Sequence, residues 1–264
     1  MKVRGKVFVL TGAGAGMGRE IAIELVMRGA RVAAVDMRES ALAELKVLLG
    51  SEVEIFALDV TDNEAVSVLP EKVLTSFGRV DGLINNAGII QPFLKINQLS
   101  IEDAARVMAV NFTGPFLLTK VFLPILIAQS EAHFLNVSSM GAYAPVPGQS
   151  LYGASKAAIA QLTDGLRSEL KGTNVGVTTV FPGAINTNIA ANSGISISAT
   201  TNASRGIKTT EPKVAAKLMV DAIEAAKDRL FIGSDARVLN LLGRIHPKLA
   251  AWLIYRNMRS LLGE

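Results

Sequence analysis

The sequence predicts an α/β fold, a doubly wound parallel sheet of about seven strands with helices on both faces. Three observations lead there. Short β-branched runs recur along the chain without strict polar alternation, as strands buried on both faces do. Longer amphipathic segments separate these runs. A glycine-rich turn joins the first run to the first amphipathic segment, where sheets of this kind hold ligands.

In chain order the expected strands are KVFVL, RVAAV, EVEIFAL, VDGLIN, HFLNV, VGVTTVF and RLFIG. Helical patterns lie between them, at Gly18–Arg28, Glu39–Leu49 and Asn63–Phe77, and again around Ile101–Gln129 and Tyr152–Lys171. The stretch from Ala184 to Thr210 is rich in Ser, Thr, Ala, Asn and Gly and has no period. It reads as one long loop, of the sort that covers a site or stays disordered. The tail from Ala236 reads as two short helices broken at His246-Pro247, with Pro247 suited to a first helical turn. No linker or internal repeat divides the chain. Residues 1–264 therefore read as a single α/β domain with a C-terminal helical extension at about 236–264.

Composition narrows the function. The chain has 264 residues, 50% hydrophobic and 19% charged, which suits a large core and not a disordered segment. It has no cysteine, which removes disulfides, thiolate metal sites and cysteine nucleophiles. His133 and His246 lack metal-ligand spacing, so no metal is expected. The first apolar run is too short for a signal-peptide core. Runs such as Val121–Ala128 fall below the roughly 18–20 residues of a spanning helix. A cytoplasmic protein is expected.

The net charge of +4 sits in the tail, where Arg237, Arg244, Lys248, Arg256 and Arg259 face only Glu264. Taking those five from 27 basic residues, and Glu264 from 23 acidic ones, leaves a balanced remainder with no nucleic-acid footprint. Beside the tail's cations lie Leu249, Trp252, Leu253, Tyr255, Met258, Leu261 and Leu262. Two readings follow. The tail packs on its own subunit or a neighbour and covers the substrate cleft, or it rests on an anionic membrane as a peripheral contact. Packing is the simpler reading and is preferred.

The first strand, turn and helix read VFVLTGAGAGMGREIAIEL. Gly12, Gly16 and Gly18 allow a tight turn and a close approach of the backbone to a pyrophosphate at a helix N-terminus, where Met17 also stands. Asp36 ends the second strand about 20 residues on. A carboxylate there accepts both ribose hydroxyls of NAD and repels the 2′-phosphate of NADP. NAD is thus the expected cofactor, with Arg38 leaving room for NADP. A second role for Asp36, capping the next helix, stays open. Farther on, LYGASKAA sets Tyr152 four residues before Lys156, on one helix face, with small residues between them.

Taken together these motifs resemble the short-chain dehydrogenase/reductase family in its single-domain form. TGAGAGMG is similar to the family's glycine loop, LDV to the segment whose Asp contacts adenine, here Asp59 with Val60, and NNAG to the stretch Asn86, Ala87 and Gly88 beside the cofactor. Asn111 in VNFTG matches the family's helix asparagine. NVSS followed by YGASK matches its catalytic segment, and PGAINT matches the loop that holds the nicotinamide amide, here Pro182, Gly183, Ile185 and Thr187. Thr187 could equally cap a helix.

The resemblance implies an NAD(P)-dependent oxidoreductase that interconverts a secondary alcohol and a ketone. It implies Asn111, Ser139, Tyr152 and Lys156 as catalytic residues, the family spacing selecting Ser139 over Ser138. Tyrosine has an ordinary pKa near 10, and a neighbouring ammonium is expected to lower it so that the phenol can act as acid and base. Ser139 would polarise the substrate oxygen. Lys156 would also bind the nicotinamide ribose, and Asn111 would hold a water in a proton relay. Met140, Tyr143 and Gln149 are candidate substrate contacts, in a mostly apolar neighbourhood that suits a hydrophobic molecule. The resemblance also implies a homodimer or homotetramer, paired through the helices around Ile101–Gln129 and Tyr152–Lys171, whose apolar breadth supports it. A sugar-nucleotide epimerase or dehydratase and a non-catalytic nucleotide-binding module are the competing classes.

Overall fold

The computed structural model describes residues 1–195 and 209–262. Seven parallel strands form one sheet: β1 (Val7–Thr11), β2 (Arg31–Asp36), β3 (Val53–Ala57), β4 (Gly82–Asn85), β5 (Ala132–Val137), β6 (Val175–Pro182) and β7 (Arg229–Ile232). Their order is β3-β2-β1-β4-β5-β6-β7. Each falls within one residue of an expected run at its start or end. Winding reverses between β1 and β4, so a crevice opens at the C-terminal ends of these two strands.

Side chains alternate across the sheet with period two. Phe8 and Leu10 of β1 join a core with Ile21 and Leu25 of α1 (Gly16–Met27), Leu42 and Leu45 of α2 (Glu39–Leu49), and Met219 and Ile223 further along. Val7 and Val9 point the other way, toward Val66 and Leu69 of α3 (Asn63–Phe77). Both faces are covered, which is why the strands read as continuous apolar runs. The helices start and stop for local reasons. Asp62 accepts from the amides of Glu64 and Ala65 to cap α3, and Gly78 ends it at φ 74°. Ser100 caps α4 (Ile101–Met108) by accepting from Asp103 N.

One expectation needs correcting. No single apolar run looked long enough to cross a membrane, but α4 runs on through a π-helical turn at Ala109–Thr113 into α5 (Gly114–Ile127). This stretch of 27 residues has the length and apolar character of a spanning helix. Here Leu118, Phe122 and Leu126 of α5 are buried against the sheet, so it serves as a core helix of the α/β layer. Truncating a buried residue such as Phe122 to Ala would cost about 3–5 kcal/mol.

The remaining helices are α6 (Ser150–Glu169), α7 (Ile189–Asn192), α8 (Pro212–Glu224), α9 (Ser234–Ile245) and α10 (Pro247–Met258). The tail forms two helices that meet at His246-Pro247. Of the long stretch Ala184–Thr210, α7 and an isolated bridge between Ile185 and Thr210 are described, while residues 196–208 lie outside the described residues.

Candidate active site

All strands are parallel, so Thr11, Asn85, Val137 and Pro182 end at the same edge of the sheet. The motif residues follow these ends. Between β1 and α1, Gly12 and Gly16 have φ of 66° and 53°, in the left-handed region where side chains are strained. A Cβ at Gly12 would lie 2.9 Å from Ala87 Cα, and one at Gly18 would collide with the Gly12 carbonyl oxygen. The loop is therefore drawn tight against the chain leaving β4. Asn86 Nδ2 donates to Thr11 O at 3.0 Å, and the amides of Asn86 and Ala87 both donate to Thr11 Oγ1 at 3.1 Å.

At the head of α1, Ala15 offers no capping side chain and the first turn carries no acid. Its free N–H groups form a ready anion site. Met17 sits in that first turn, partly buried against the core.

Asp36 is buried at the end of β2. Its Oδ2 accepts from Gly14 N at 3.0 Å, and its Oδ1 accepts from Arg38 N at 3.0 Å and Arg38 Nε at 3.2 Å. Arg38 Nη1 also donates to Asn192 Oδ1 of α7 at 3.1 Å. Asp36 accordingly orders the glycine loop and engages Arg38, and it does not cap α2 with its side chain. Asp59 is exposed and accepts from Thr61 N and Thr61 Oγ1 in its own turn, and Val60 packs against Gly114.

The four candidate catalytic residues lie on the β4, β5 and α6 side of the crevice. Lys156, buried in α6, donates from Nζ to Val137 O at 3.0 Å. Asn111 belongs to the π-helical turn, a distortion often found at functional sites. Its Oδ1 accepts from Ile89 N at 2.9 Å, and its Nδ2 donates to Ile89 O at 2.9 Å and Ser155 Oγ at 3.0 Å. Ser155 Oγ in turn donates to Tyr152 O at 2.7 Å. Asn111 is thus tied into α6 between Tyr152 and Lys156. A Cβ at Gly88 would lie 3.0 Å from Lys156 Nζ and 3.2 Å from Asn111 Oδ1, so Gly88 keeps open the space where these two groups meet.

Ser139 and Ser138 divide as the one-residue offset requires. Ser138 Oγ donates to Lys156 O at 2.7 Å and is buried as framework. Ser139 accepts from Gly141 N at 3.1 Å, and a Cβ at Gly141 would touch both Ser139 Oγ and the Tyr152 ring.

The electrostatics differ from the expected scheme. Burial raises the Tyr152 phenol above its ordinary pKa, and the Ser139 hydroxyl pulls it partly back. Burial also pushes the Lys156 ammonium down, to about 8. In this arrangement desolvation outweighs the help expected from Lys156, because both groups are withdrawn from water together.

Two substrate candidates have internal partners. Tyr143 turns away: its hydroxyl donates to Ala236 O at 2.8 Å and its ring packs on Phe181 and Phe231, so it docks α9. Burial, with Asp235 nearby, raises its pKa. Gln149 is buried and donates from Nε2 to Gln91 O at 2.7 Å. Met140 opens the short turn Met140–Ala142 after Ser139 and keeps a place beside the site.

On the far side, Pro182 ends β6, and Ile185 bridges to Thr210. Thr187 comes close to the glycine loop, since a Cβ at Gly16 would lie 3.4 Å from Thr187 Cγ2. Gly183 is needed for a reason not foreseen. Asp235 of α9 occupies the space a side chain there would fill, and its Oδ2 accepts from Ala184 N at 2.8 Å. Two framework residues were missed in the sequence. Asp235 holds the Pro182–Thr187 loop, and buried Gln91 accepts with Oε1 from the amides of Leu151 and Tyr152 at 2.8 and 2.9 Å, fixing the start of α6. Asp235 looks like an ordinary first-turn acid, and Gln91 carries no local pattern.

The tight glycine loop, uncapped helix head, strand-end Asp36 and cleared space at Gly88 together fit a dinucleotide. Comparison with known proteins agrees. A family model described as short chain dehydrogenase matches residues 6–196. The chain is 35% identical over 251 residues, 91% of each chain, to SadH of Mycobacterium tuberculosis. It is similar to a Burkholderia phymatum short-chain dehydrogenase/reductase solved with NAD, at TM-score 0.84 and 28% identity, covering 94% of this chain and 96% of that one. It is also similar to a Burkholderia cenocepacia short-chain dehydrogenase solved with NADP, at TM-score 0.82 and 25% identity, covering 96% and 99%.

Proposed function

The chain belongs to the short-chain dehydrogenase family, and from that premise we propose that this nicotinamide-dependent oxidoreductase interconverts a secondary alcohol and a ketone. One observation carries the reading: Tyr152, Lys156, Ser139 and Asn111 gather at the strand ends, next to the space that Gly88 keeps open. A bound nicotinamide would supply the hydride acceptor or donor, held by the glycine loop, Asp36, Lys156 and the Pro182–Thr187 loop.

The chain's own residues handle the proton. In oxidation the substrate hydroxyl lies between Ser139 and Tyr152. Tyr152, as phenolate, takes the hydroxyl proton while the carbon–hydrogen bond gives up its hydride, and the electron pair left on oxygen forms the carbonyl. In reduction the same phenol returns the proton. Ser139 steadies the oxygen as charge develops there. Lys156, anchored at Val137 O, would act with the positive charge of an oxidised nicotinamide to offset the burial that raises the Tyr152 pKa. Asn111 and Ser155 fix the spacing of π turn and helix.

NAD is the proposed preference. The Asp36 carboxylate at the end of β2 would repel a 2′-phosphate, and the neighbouring cation Arg38 is already engaged with Asp36 and Asn192. A hydrophobic substrate fits the apolar residue Met140 beside Ser139. Exposed Ile101, Phe116 and Ile127 on α4 and α5 support pairing of subunits through these helices. Activity followed by NADH absorbance, across alcohols graded in chain length and ring number, tests the reading. Turnover of no alcohol and no ketone with either nicotinamide would overturn it.

A further inference from the structure

The tail presents its apolar side outward. In α9 the exposed residues Val238, Leu241 and Ile245 form one stripe, at 61%, 60% and 72% exposure, with Arg237 and Arg244 along its edge. In α10 Leu249, Trp252 and Tyr255 are exposed on one side, among Lys248, Arg256 and Arg259. The inner side is already satisfied. Ala236, Ala250 and Ile254 are buried, and Tyr143 bonds to Ala236 O. The outward stripe is therefore not a core face waiting for its own sheet.

Charge separates the candidate occupants. From Ala236 to Leu262 the sequence has five cations and no acid. Among the described residues, no ion pair joins any of the five to a carboxylate. A symmetric contact of the tail with a second copy's tail would bring cation against cation, with no acid between Ala236 and Leu262 to answer them. An anionic surface answers all of them at once. Trp and Tyr beside Arg and Lys also suit a water–lipid boundary, where rings enter the apolar layer and long basic side chains reach back to the headgroups. Arg256 already lies over the Trp252 ring at 5.3 Å.

We propose that α9 and α10 dock the protein on an anionic lipid bilayer, with the substrate cleft opening at the docked face. The last clause rests on the far end of the tail. Leu262 returns to the segment before α6: a Cβ at Gly148 would lie 2.9 Å from Leu262 Cδ2 and 3.3 Å from Leu94 N. The turn that follows α10 thus adjoins the chain that leads into Tyr152, which sets the docked helices beside the route an apolar substrate would take from lipid to site. The docking itself does not depend on the proposed reaction.

Trp252 is the sole tryptophan of the chain, so its emission reports directly on this face. The test adds vesicles of phosphatidylglycerol and phosphatidylcholine to full-length protein and records emission and co-sedimentation. The expected result is a blue shift with anionic vesicles, absent with pure phosphatidylcholine and reversed by 1 M salt, where screening is nearly complete. Arg244→Glu with Lys248→Glu should weaken apparent lipid affinity at least tenfold, and Leu241→Gln with Ile245→Gln should weaken it similarly. Unchanged NAD binding in both variants would show that they remain folded. No shift with anionic vesicles would overturn the proposal. So would equal binding to neutral vesicles, or a lipid-free, concentration-dependent shift accompanied by dimer formation.

Discussion

Lys156 Nζ donates to the Val137 carbonyl oxygen at 3.0 Å, so the end of β5 fixes the amine that shares a helix face with Tyr152. That bond sets where the cation can stand. With Gln91 holding the amides of Leu151 and Tyr152, it fixes α6 at two points, and the phenol is carried between them.

Tyr152→Phe should lower kcat by about 10²–10⁴-fold, the usual worth of a positioned acid–base group. The ring remains, so packing and NAD affinity should hold within about threefold. Steady-state rates beside NAD titration check this. A variant that keeps more than about a tenth of kcat would show that another group moves the proton.

Gly88→Ala should separate fold from function. The new Cβ would meet Lys156 Nζ at 3.0 Å and Asn111 Oδ1 at 3.2 Å. Nζ is the tip of a flexible side chain and can move aside, so Tm should stay within about 4 °C. Activity should fall at least tenfold, because the displaced amine no longer stands where cofactor and phenol need it. Thermal melts and kcat measured together decide. Full activity would mean that the space at Gly88 is not used.

The seven strands were legible because burial on both faces leaves an unbroken apolar run at each one. Asp62 and Gly78 bound α3 through local chemistry, and the helical pattern Asn63–Phe77 ends where they stand. The π-helical turn around Asn111 was not, since a five-residue change of pitch leaves the apolar period almost unaltered. Tyr143 and Gln149 show a different limit. Both stand near Ser139 and Tyr152 in sequence, yet their partners are Ala236 and Gln91, 93 and 58 residues away. Proximity along the chain says little about which way a loop side chain turns. The catalytic set was legible only because several motifs occurred in order.

Cofactor preference should follow charge at Asp36. Asp36→Asn keeps an oxygen for Gly14 N but removes the negative charge, so the NADP-to-NAD ratio of Kd should move at least tenfold toward NADP. Arg38→Ala should leave wild-type NAD preference in place, because Arg38 is engaged by Asp36 and Asn192. Titration of both dinucleotides against the three proteins provides the check, and tighter NADP binding by wild type would reverse the assignment.

His133 should make the fold acid-sensitive. It is buried in β5, with Nε2 2.8 Å from Thr178 Oγ1. The Thr178 hydroxyl donates to Lys227 O, so it accepts from His133, which places the histidine proton on Nε2. Nδ1 faces Gly176, where even a Cβ would lie only 2.5 Å away. Burial, then the Met1 ammonium, lowers the folded pKa from 6.5 to about 3. Because the unfolded chain binds the proton first, stability is complete above about 6.5 and is lost as pH falls toward 3. The slope approaches about 1.4 kcal/mol per pH unit below 6.5, so about 1.6 kcal/mol should vanish between pH 6.5 and 5. His133→Leu removes the titrating group and should lack this part of the slope, whatever its absolute stability. Urea unfolding of both proteins at the two pH values isolates the term, since the carboxylates are common to both. Parallel losses in wild type and variant would show that His133 does not carry the acid sensitivity.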